Sequence, residues 1–355
     1  MARTRRQLGS FFHEARRASG RRRAAGAVWI ACAALLGAAL GCAPMSFLIT
    51  PVPGERALVE HEVRRDSLWA GDKIALIDVD GVLANAAGSS LLGGQRANPV
   101  SVFTEKLDQA RKDDRVKAVV VRINSPGGGV TASALMHDEL RRFRERSGKP
   151  VIASMLDVAA SGGYYLACAA DRILAHATTV TGSIGVIMIT PDVSGTMQLI
   201  GARANVIKSG AMKDVGSPFR PMNETDRALF QGIIDRMYDQ FIAAVARSRT
   251  ALSEARIREL ADGRVYFASQ ALELGLVDEI GSVYDAINAA KSAAELDDKP
   301  IVVVEYAIPV AHRPNVYAQA SGGPAPAPAP VLNLELPWPF KDPAPQFLYL
   351  WAPGW

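Results

Sequence analysis

Cysteine is scarce in this chain of 355 residues. There are three, and Cys32 and Cys42 share one apolar stretch near the N-terminus. Cys168 is therefore alone in the rest, so no disulfide can form within a domain there, and a small buried side chain is its expected role. Histidine is nearly as rare, with five residues, and no His- or Cys-rich spacing of a metal site occurs. No cofactor and no metal are expected. A phosphate-binding P-loop is missing too, because "NSPGGG" at 124–129 has the glycines without the lysine. Acidic residues are absent between Glu14 and Glu55, whereas residues 1–23 hold eight arginines. That segment carries about +7 of charge against a net +4 for the whole, which leaves the remainder near −3. A nucleic-acid partner would need its basic patch on the folded part, so none is expected.

Directly after the arginines the chain turns apolar. Residues 24–41, "AAGAVWIACAALLGAALG", contain no charge, and the next charge is Glu55. A run of roughly 18 such residues is long enough to be a membrane-span candidate. Arginines on its N-terminal side predict a cytoplasmic N-terminus, with the bulk of the chain on the exported side of the membrane. "ALGC" ending at Cys42 resembles a lipoprotein signal, with Ala39 where leucine is preferred. Segment 24–43 is thus a membrane anchor or a lipoprotein signal, and either tethers the domain to a membrane.

From about Lys73 short β-rich runs alternate with helical patterns. "KIALIDVDG", "VKAVVVRIN" and "PVIASML" read as strands, with "PVSVFTEKLDQARK" and "TASALMHDELRRFRE" as the helices between them. This is an α/β pattern of repeated βαβ units with a mostly parallel sheet and flanking helices. Beyond Asn223, Leu229, Ile233, Met237, Phe241 and Val245 mark the packing face of an amphipathic helix. "GRVYFASQALELGLVDEIGS" reads as a turn, a short helix and a strand. Residues 313–355 are rich in Pro and Ala, a composition that builds no core, and are expected to be disordered with an apolar end, "QFLYLWAPGW". The folded domain is expected over 55–312.

Two stretches could carry chemistry. Glycines in the strand-to-helix loop "NSPGGG" can present backbone N–H groups to a phosphate or an oxyanion, or simply make a turn. Ser161, in "DVAASGGYYLACAA", stands at a helix start, where a serine caps the helix or attacks a substrate. An ordinary hydroxyl needs a base to attack. The histidines are poorly placed for that: His13, His61 and His312 fall outside the strand-helix core, His137 reads as exposed on a charged helix, and only His176 could approach. A lysine serves as base when burial lowers its pKa. Lys208 and Lys213 lie in a loop-like segment, where the alternative is ordinary solvation.

Taken together, "NSPGGG", "ASGGYY", "TGSIGVI" and "SGAMKD" resemble, in order and spacing, the bacterial signal peptide peptidase A family. These are Ser/Lys dyad proteases with a fold like those of the Clp protease and the crotonases. The resemblance extends from about Lys73 to "GLVDEIGS" at 275–282. It implies a serine endopeptidase with Ser161 as nucleophile, Lys213 as base and Ser183 as the residue orienting the lysine. Gly162 and either Gly127 or Gly128 would be the oxyanion donors. Lys208 is the second choice of base, and Asp214 would fix the loop. The implied substrates are remnant signal peptides and other short unfolded apolar segments. The implied assembly is a homo-oligomeric ring, an octamer, in which a neighbouring protomer supplies the lysine. A crotonase-type acyl-CoA enzyme would share the fold and the oxyanion donors, and a non-catalytic membrane scaffold would share the anchor. The apolar end "FLYLWAPGW" suggests a self-substrate or an occupant of a binding groove.

Overall fold

The computed structural model describes residues 58–86, 88–89, 95–96, 98–307 and 346–351. The basic segment 1–23, the apolar segment 24–43 and tail residues 313–345 lie outside the described residues. Strands β1 (Val59–Arg65), β2 (Asp72–Asp80), β3 (Gly88–Ser89) and β4 (Gln95–Arg96) precede helix α1 (Pro99–Lys112). Next come β5 (Val116–Ser125), β6 (Gly127–Gly129), α2 (Val130–Ser147), β7 (Val151–Ala160), α3 (Gly162–Ala167), β8 (Arg172–Ala175), β9 (Val180–Gly182) and β10 (Ile187–Ile189). The rest is α4 (Ser194–Leu199), α5 (Glu224–Ser248), α6 (Glu254–Leu260), β11 (Val265–Phe267), α7 (Ala268–Glu273), β12 (Glu279–Ile280), α8 (Val283–Ala293), β13 (Ile301–Ala307) and β14 (Gln346–Leu350).

The main sheet runs β1-β13-β2-β5-β7-β8-β12, with β9 beside β7 and β11 beside β9. Only β1 with β13 and β11 with β9 pair antiparallel; all other neighbours are parallel. This is the expected α/β fold with its mostly parallel sheet. Successive strand residues face opposite sides of the sheet. Ala75, Ile77, Val119 and Val121 pack with α1, α2, α3 and α5, whereas Ile74, Leu76, Ala118 and Val120 pack with Val283, Ala286, Ile287 and Ala290 of α8. The near-continuous apolar run of β5 results from having both faces covered.

One charge interrupts that run. Arg122 is 1% exposed, and its Nε donates to Asp78 Oδ1 at 2.5 Å across the β2–β5 pair. Its second arm reaches Glu305 Oε1 on β13 at 3.3 Å. Burial works against a charge on Asp78, but a hydrogen bond with Glu305 and the Arg122 guanidinium outweigh it and hold the carboxyl below the ordinary range.

Three features differ from the sequence pattern. Strand β1 is missed because its Glu60, Glu62, Arg64 and Arg65 obscure the alternation, as suits a sheet edge paired on one side only. Within α5, Leu229 points to solvent and Phe230 is buried in its place. The tail is corrected in one stretch: Gln346–Leu350 is not disordered but forms β14, the middle strand of a separate sheet β10-β14-β6. Leu348, Tyr349 and Leu350 are buried there, so the apolar end has a groove to fill even though the Pro/Ala stretch cannot build a core.

Removing the guanidinium would leave Asp78 and Glu305 buried without the charge that bridges them. Arg122→Met is expected to cost about 3–5 kcal/mol of stability, measured as a lower urea midpoint at unchanged slope. A cost under about 1 kcal/mol would mean that the cluster is not a paired buried charge.

Candidate active site

Parallel neighbours β5 and β7 end at the same edge of the sheet, and each delivers one half of the site. Between Ile123 and Ser125 the partner register jumps from Met155 to Ala159, so β7 bulges. Asn124 Oδ1 stitches the bulge by accepting the Val158 N–H at 3.2 Å. Beyond it β7 turns to pair with β9 and runs into Ser161, whose N–H donates to Gly182 O at 2.7 Å.

Ser161 has φ 51° and ψ −113° and precedes α3, yet its side chain makes no capping hydrogen bond. The hydroxyl is therefore not a helix cap. A non-glycine residue held at positive φ is strained, and such residues cluster at functional sites. Ser183 shares the feature, with φ 49°. Its N–H donates to Arg264 O at 2.8 Å, and it comes directly after Gly182, the residue that binds the Ser161 backbone. The two serines are thus brought together through one peptide unit.

Glycines close the site. Gly127 has φ +99°, and a Cβ placed there would fall 2.0 Å from Tyr349 O and 2.7 Å from Gly162 N. Tyr349 O and Gly162 N consequently lie together over the Gly127 backbone, where no side chain fits. Gly127 offers its own N–H to Ser125 Oγ at 3.1 Å. Leu83 N–H donates to Gly127 O at 2.8 Å, and Gly129 N–H donates to Leu83 O at 2.9 Å. Alternate residues of a strand direct their backbone groups to opposite sides, so Gly128 directs its N–H the other way, toward β14, where it stands opposite Tyr349. Of the two glycines left open by sequence, Gly128 is the one placed to join Gly162 as a donor.

The apolar chain end occupies this cleft. β14 runs antiparallel to both β6 and β10, and Trp351 N–H donates to Pro126 O at 2.8 Å. The ring of Tyr349 is fully buried, stacked on Tyr165 at 5.3 Å and tilted against Phe241 at 4.7 Å. Its hydroxyl donates to Met237 O at 2.7 Å, and burial pushes the phenol pKa up. No sequence motif marks this pocket; the apolar run around Tyr349 is its one trace.

The lysines stand elsewhere. Lys213 is exposed, and among the described residues its side chain forms no hydrogen bond or ion pair. Lys208 is committed instead, with Nζ 2.7 Å from Asp214 Oδ1 and 3.0 Å from Ala211 O, which argues against its use as a base. Asp214 also binds Arg220 at 3.1 Å, and Arg220 in turn holds Asp226 at 2.5 Å. Around this clamp Leu199, Ile200, Val206 and Ile207 are exposed. His137 is not exposed as its helix pattern suggests: it is 2% exposed and packs on Tyr165 at 4.9 Å, and burial pushes its pKa down. His176 pairs with Thr178 at 2.8 Å. Cys168 is buried, and its thiol is pushed by burial up to about 11. Among the described residues no group of His, Cys, Asp or Glu is placed to hold a metal ion.

Comparison with known proteins fits this geometry. The sequence profile described as "Peptidase family S49" matches residues 143–297. A protein of Enterococcus faecium assigned the name signal peptide peptidase SppA is 34% identical over 296 residues, 78% of this chain and 83% of that one. Protease 4 of Haemophilus influenzae is 36% identical over 220 residues, 62% of this chain but only 34% of its own length. The chloroplastic serine protease SPPA of Arabidopsis thaliana is 35% identical over 247 residues, 69% of this chain and 36% of that one.

The clamp on the lysine-bearing loop has a pH signature. Hydrogen bonds from Arg220 first, then Lys208, hold the Asp214 carboxyl well below the ordinary carboxylate range. A depressed acid contributes its full stability above its unfolded value of about 4 and loses it as pH falls through the folded value. Limited proteolysis within residues 203–220 is expected to stay slow from neutral pH down to about 4 and to quicken only below that. Asp214→Asn is expected to be cut several-fold faster throughout. Equal cleavage of the two proteins would show that the clamp does not order the loop.

Proposed function

The chain belongs to peptidase family S49 and is a serine peptidase of the signal peptide peptidase type, and on that premise we propose that it is a membrane-tethered endopeptidase that cleaves short unfolded apolar peptides, remnant signal peptides among them, through an acyl-enzyme on Ser161. The observation that carries this reading is the chain's own strand in the cleft. β14 adds an extended peptide between β6 and β10, with the Tyr349 carbonyl beside Gly162 N and Ser161 one residue away. Strand addition supplies main-chain affinity that is indifferent to sequence, while alternate side-chain pockets supply selectivity.

In this mechanism a neutral Lys213 takes the Ser161 proton as the hydroxyl attacks the carbonyl carbon. The oxyanion forms against the N–H groups of Gly128 and Gly162. Collapse breaks the C–N bond, and the lysine delivers its proton to the leaving amine. Water then repeats the sequence and releases the acid. Ser183 orients the lysine. Because the Lys213 side chain has no partner among the described residues and the surrounding arm exposes Leu199, Ile200, Val206 and Ile207, we place the lysine of one protomer in the site of the next, in a homo-oligomeric ring of eight. Burial of that apolar arm between protomers favours the uncharged amine that a base requires.

The domain is placed on the exported side of a bacterial membrane, held by segment 24–43 as an anchor or through a lipidated Cys42. That segment is outside the described residues, among which no helix is long and apolar enough to cross a membrane. β14 holds the substrate's place and is the chain's first candidate for self-cleavage.

Ser161→Ala and Lys213→Ala are each expected to lower kcat on a fluorogenic peptide ester by about a thousandfold or more. Activity surviving both substitutions would sink the dyad, and turnover of acyl-CoA thioesters alone would favour the crotonase reading. Refolding the two variants together is expected to restore about a quarter of wild-type activity, by statistical mixing across a shared site. No recovery would place both residues in one protomer. Deleting residues 346–355 is expected to lower the apparent KM about tenfold by removing a tethered competitor, whereas an unchanged KM would mean that β14 leaves the cleft freely.

A further inference from the structure

The oxyanion strand has to hold its shape without side chains of its own, since β6 is three glycines. Glycine gives a chain more freedom to lose than any other residue, so the peptides on both sides of Gly127 must be fixed from outside. Leu83 N–H holds the carbonyl of the Gly127–Gly128 peptide at 2.8 Å, and one hydroxyl stands where the N–H of the Pro126–Gly127 peptide can be held. Ser125 is fully buried; its Oγ donates to Gly81 O at 2.6 Å and accepts the Gly127 N–H at 3.1 Å. Both of its hydrogen-bonding roles are thereby filled, one on the segment after β2 and one on the residue with φ +99°. The same residue touches the nucleophile's side. A Cβ on Gly163 would meet Ser125 O at 2.8 Å and Ser125 Cβ at 3.5 Å, so Ser125 packs against the first turn of α3.

Resting on the peptidase reading above, we propose that Ser125 is a positioning residue for the oxyanion donor: its hydroxyl fixes the Gly127 peptide so that the Gly128 N–H is held toward the substrate carbonyl. It touches neither substrate nor reacting atoms, and its effect passes through Gly127. A buried serine that merely supported the fold would weaken substrate binding and chemistry together when removed. A positioning serine is read only where negative charge develops on oxygen.

The test compares wild type, Ser125→Ala and Ser125→Cys in the full-length assembled enzyme. For each, kcat and KM are measured on a peptide ester, together with the affinity of a peptide boronate, whose tetrahedral adduct with Ser161 places an oxygen in the oxyanion position. Ser125→Ala is expected to lower kcat by about ten- to a hundredfold with KM within about twofold, and to weaken the boronate by the same factor as kcat. Ser125→Cys keeps the shape and bonds weakly, so it is expected to fall between the two and to remain informative if the alanine variant does not fold. Unchanged kcat in both variants, or a loss shared equally by KM and kcat with boronate affinity intact, would overturn the role of Ser125 alone. A wild-type enzyme that neither turns over the ester nor forms the boronate adduct would instead overturn the peptidase reading, and this inference with it.

Discussion

The site depends on a contact that no side chain takes part in. Gly127, Gly162 and the Tyr349 carbonyl come so close that a Cβ on Gly127 would fall 2.0 Å from Tyr349 O and 2.7 Å from Gly162 N, and any residue larger than glycine at 127 would collide with main-chain atoms. That approach constrains both loops around it. The loop after β5 must be glycine-rich, which removes its intrinsic stiffness and obliges Ser125 and Leu83 to hold it from behind. Ser161 must leave β7 at a sharp turn with positive φ, a conformation tolerated because its N–H is tied to Gly182. Both demands fall at the same edge because β5 and β7 are parallel neighbours, the usual place for sites in such sheets.

Charge works in two places, with opposite kinds of burial. Deep in the sheet, Arg122 on β5 bridges Asp78 on the neighbouring β2 and Glu305 on β13, the strand beyond it. Such a cluster adds little net stability over an apolar core, yet it penalises any shift of one strand against another, because a displaced charge would be left buried and unpaired. On the surface, Asp214 gathers Lys208 and Arg220, and Arg220 gathers Asp226 at the start of α5. There each pair taken alone is weak. Acting as a network, they shape a loop that has few apolar contacts of its own.

Much of the fold was legible in the residues. The alternation of β-rich runs such as "KIALIDVDG" with helical patterns, and the apolar run of β5, point directly to a covered parallel sheet, because both faces of those strands are buried. The edge strand β1 was not legible, since one solvated side lets charges break the pattern. At the site, "NSPGGG" and "ASGGYY" identify the two loops, but sequence could not choose between Gly127 and Gly128, a matter of which way one N–H points. Nor could it show that the Ser161 hydroxyl leaves the helix uncapped, because a serine before a helix is an ordinary cap and only the backbone dihedral and the absent capping bond rule that out. The strand formed by 346–350 was hidden for a different reason. Its partner, β6, is more than two hundred residues away in sequence, and local composition says nothing about a groove built by distant segments.

The two lysines show where a single chain stops being sufficient. Lys208 lies within reach of a carboxylate and is taken by it, while the Lys213 side chain has no partner among the described residues, on an arm whose apolar residues face outward. An arm stapled internally by ion pairs yet apolar outside is ill suited to water on its own account, and hydrophobic burial against a second surface is the force that would favour docking it. On the proposed reading, the same docking would carry Lys213 out of water and toward a neighbouring Ser161. Meanwhile Ser161 is only 1% exposed with β14 in place. On the proposed reading, the resting site therefore waits on two movements of different origin: arrival of a base from outside the chain, and departure of a strand that belongs to it.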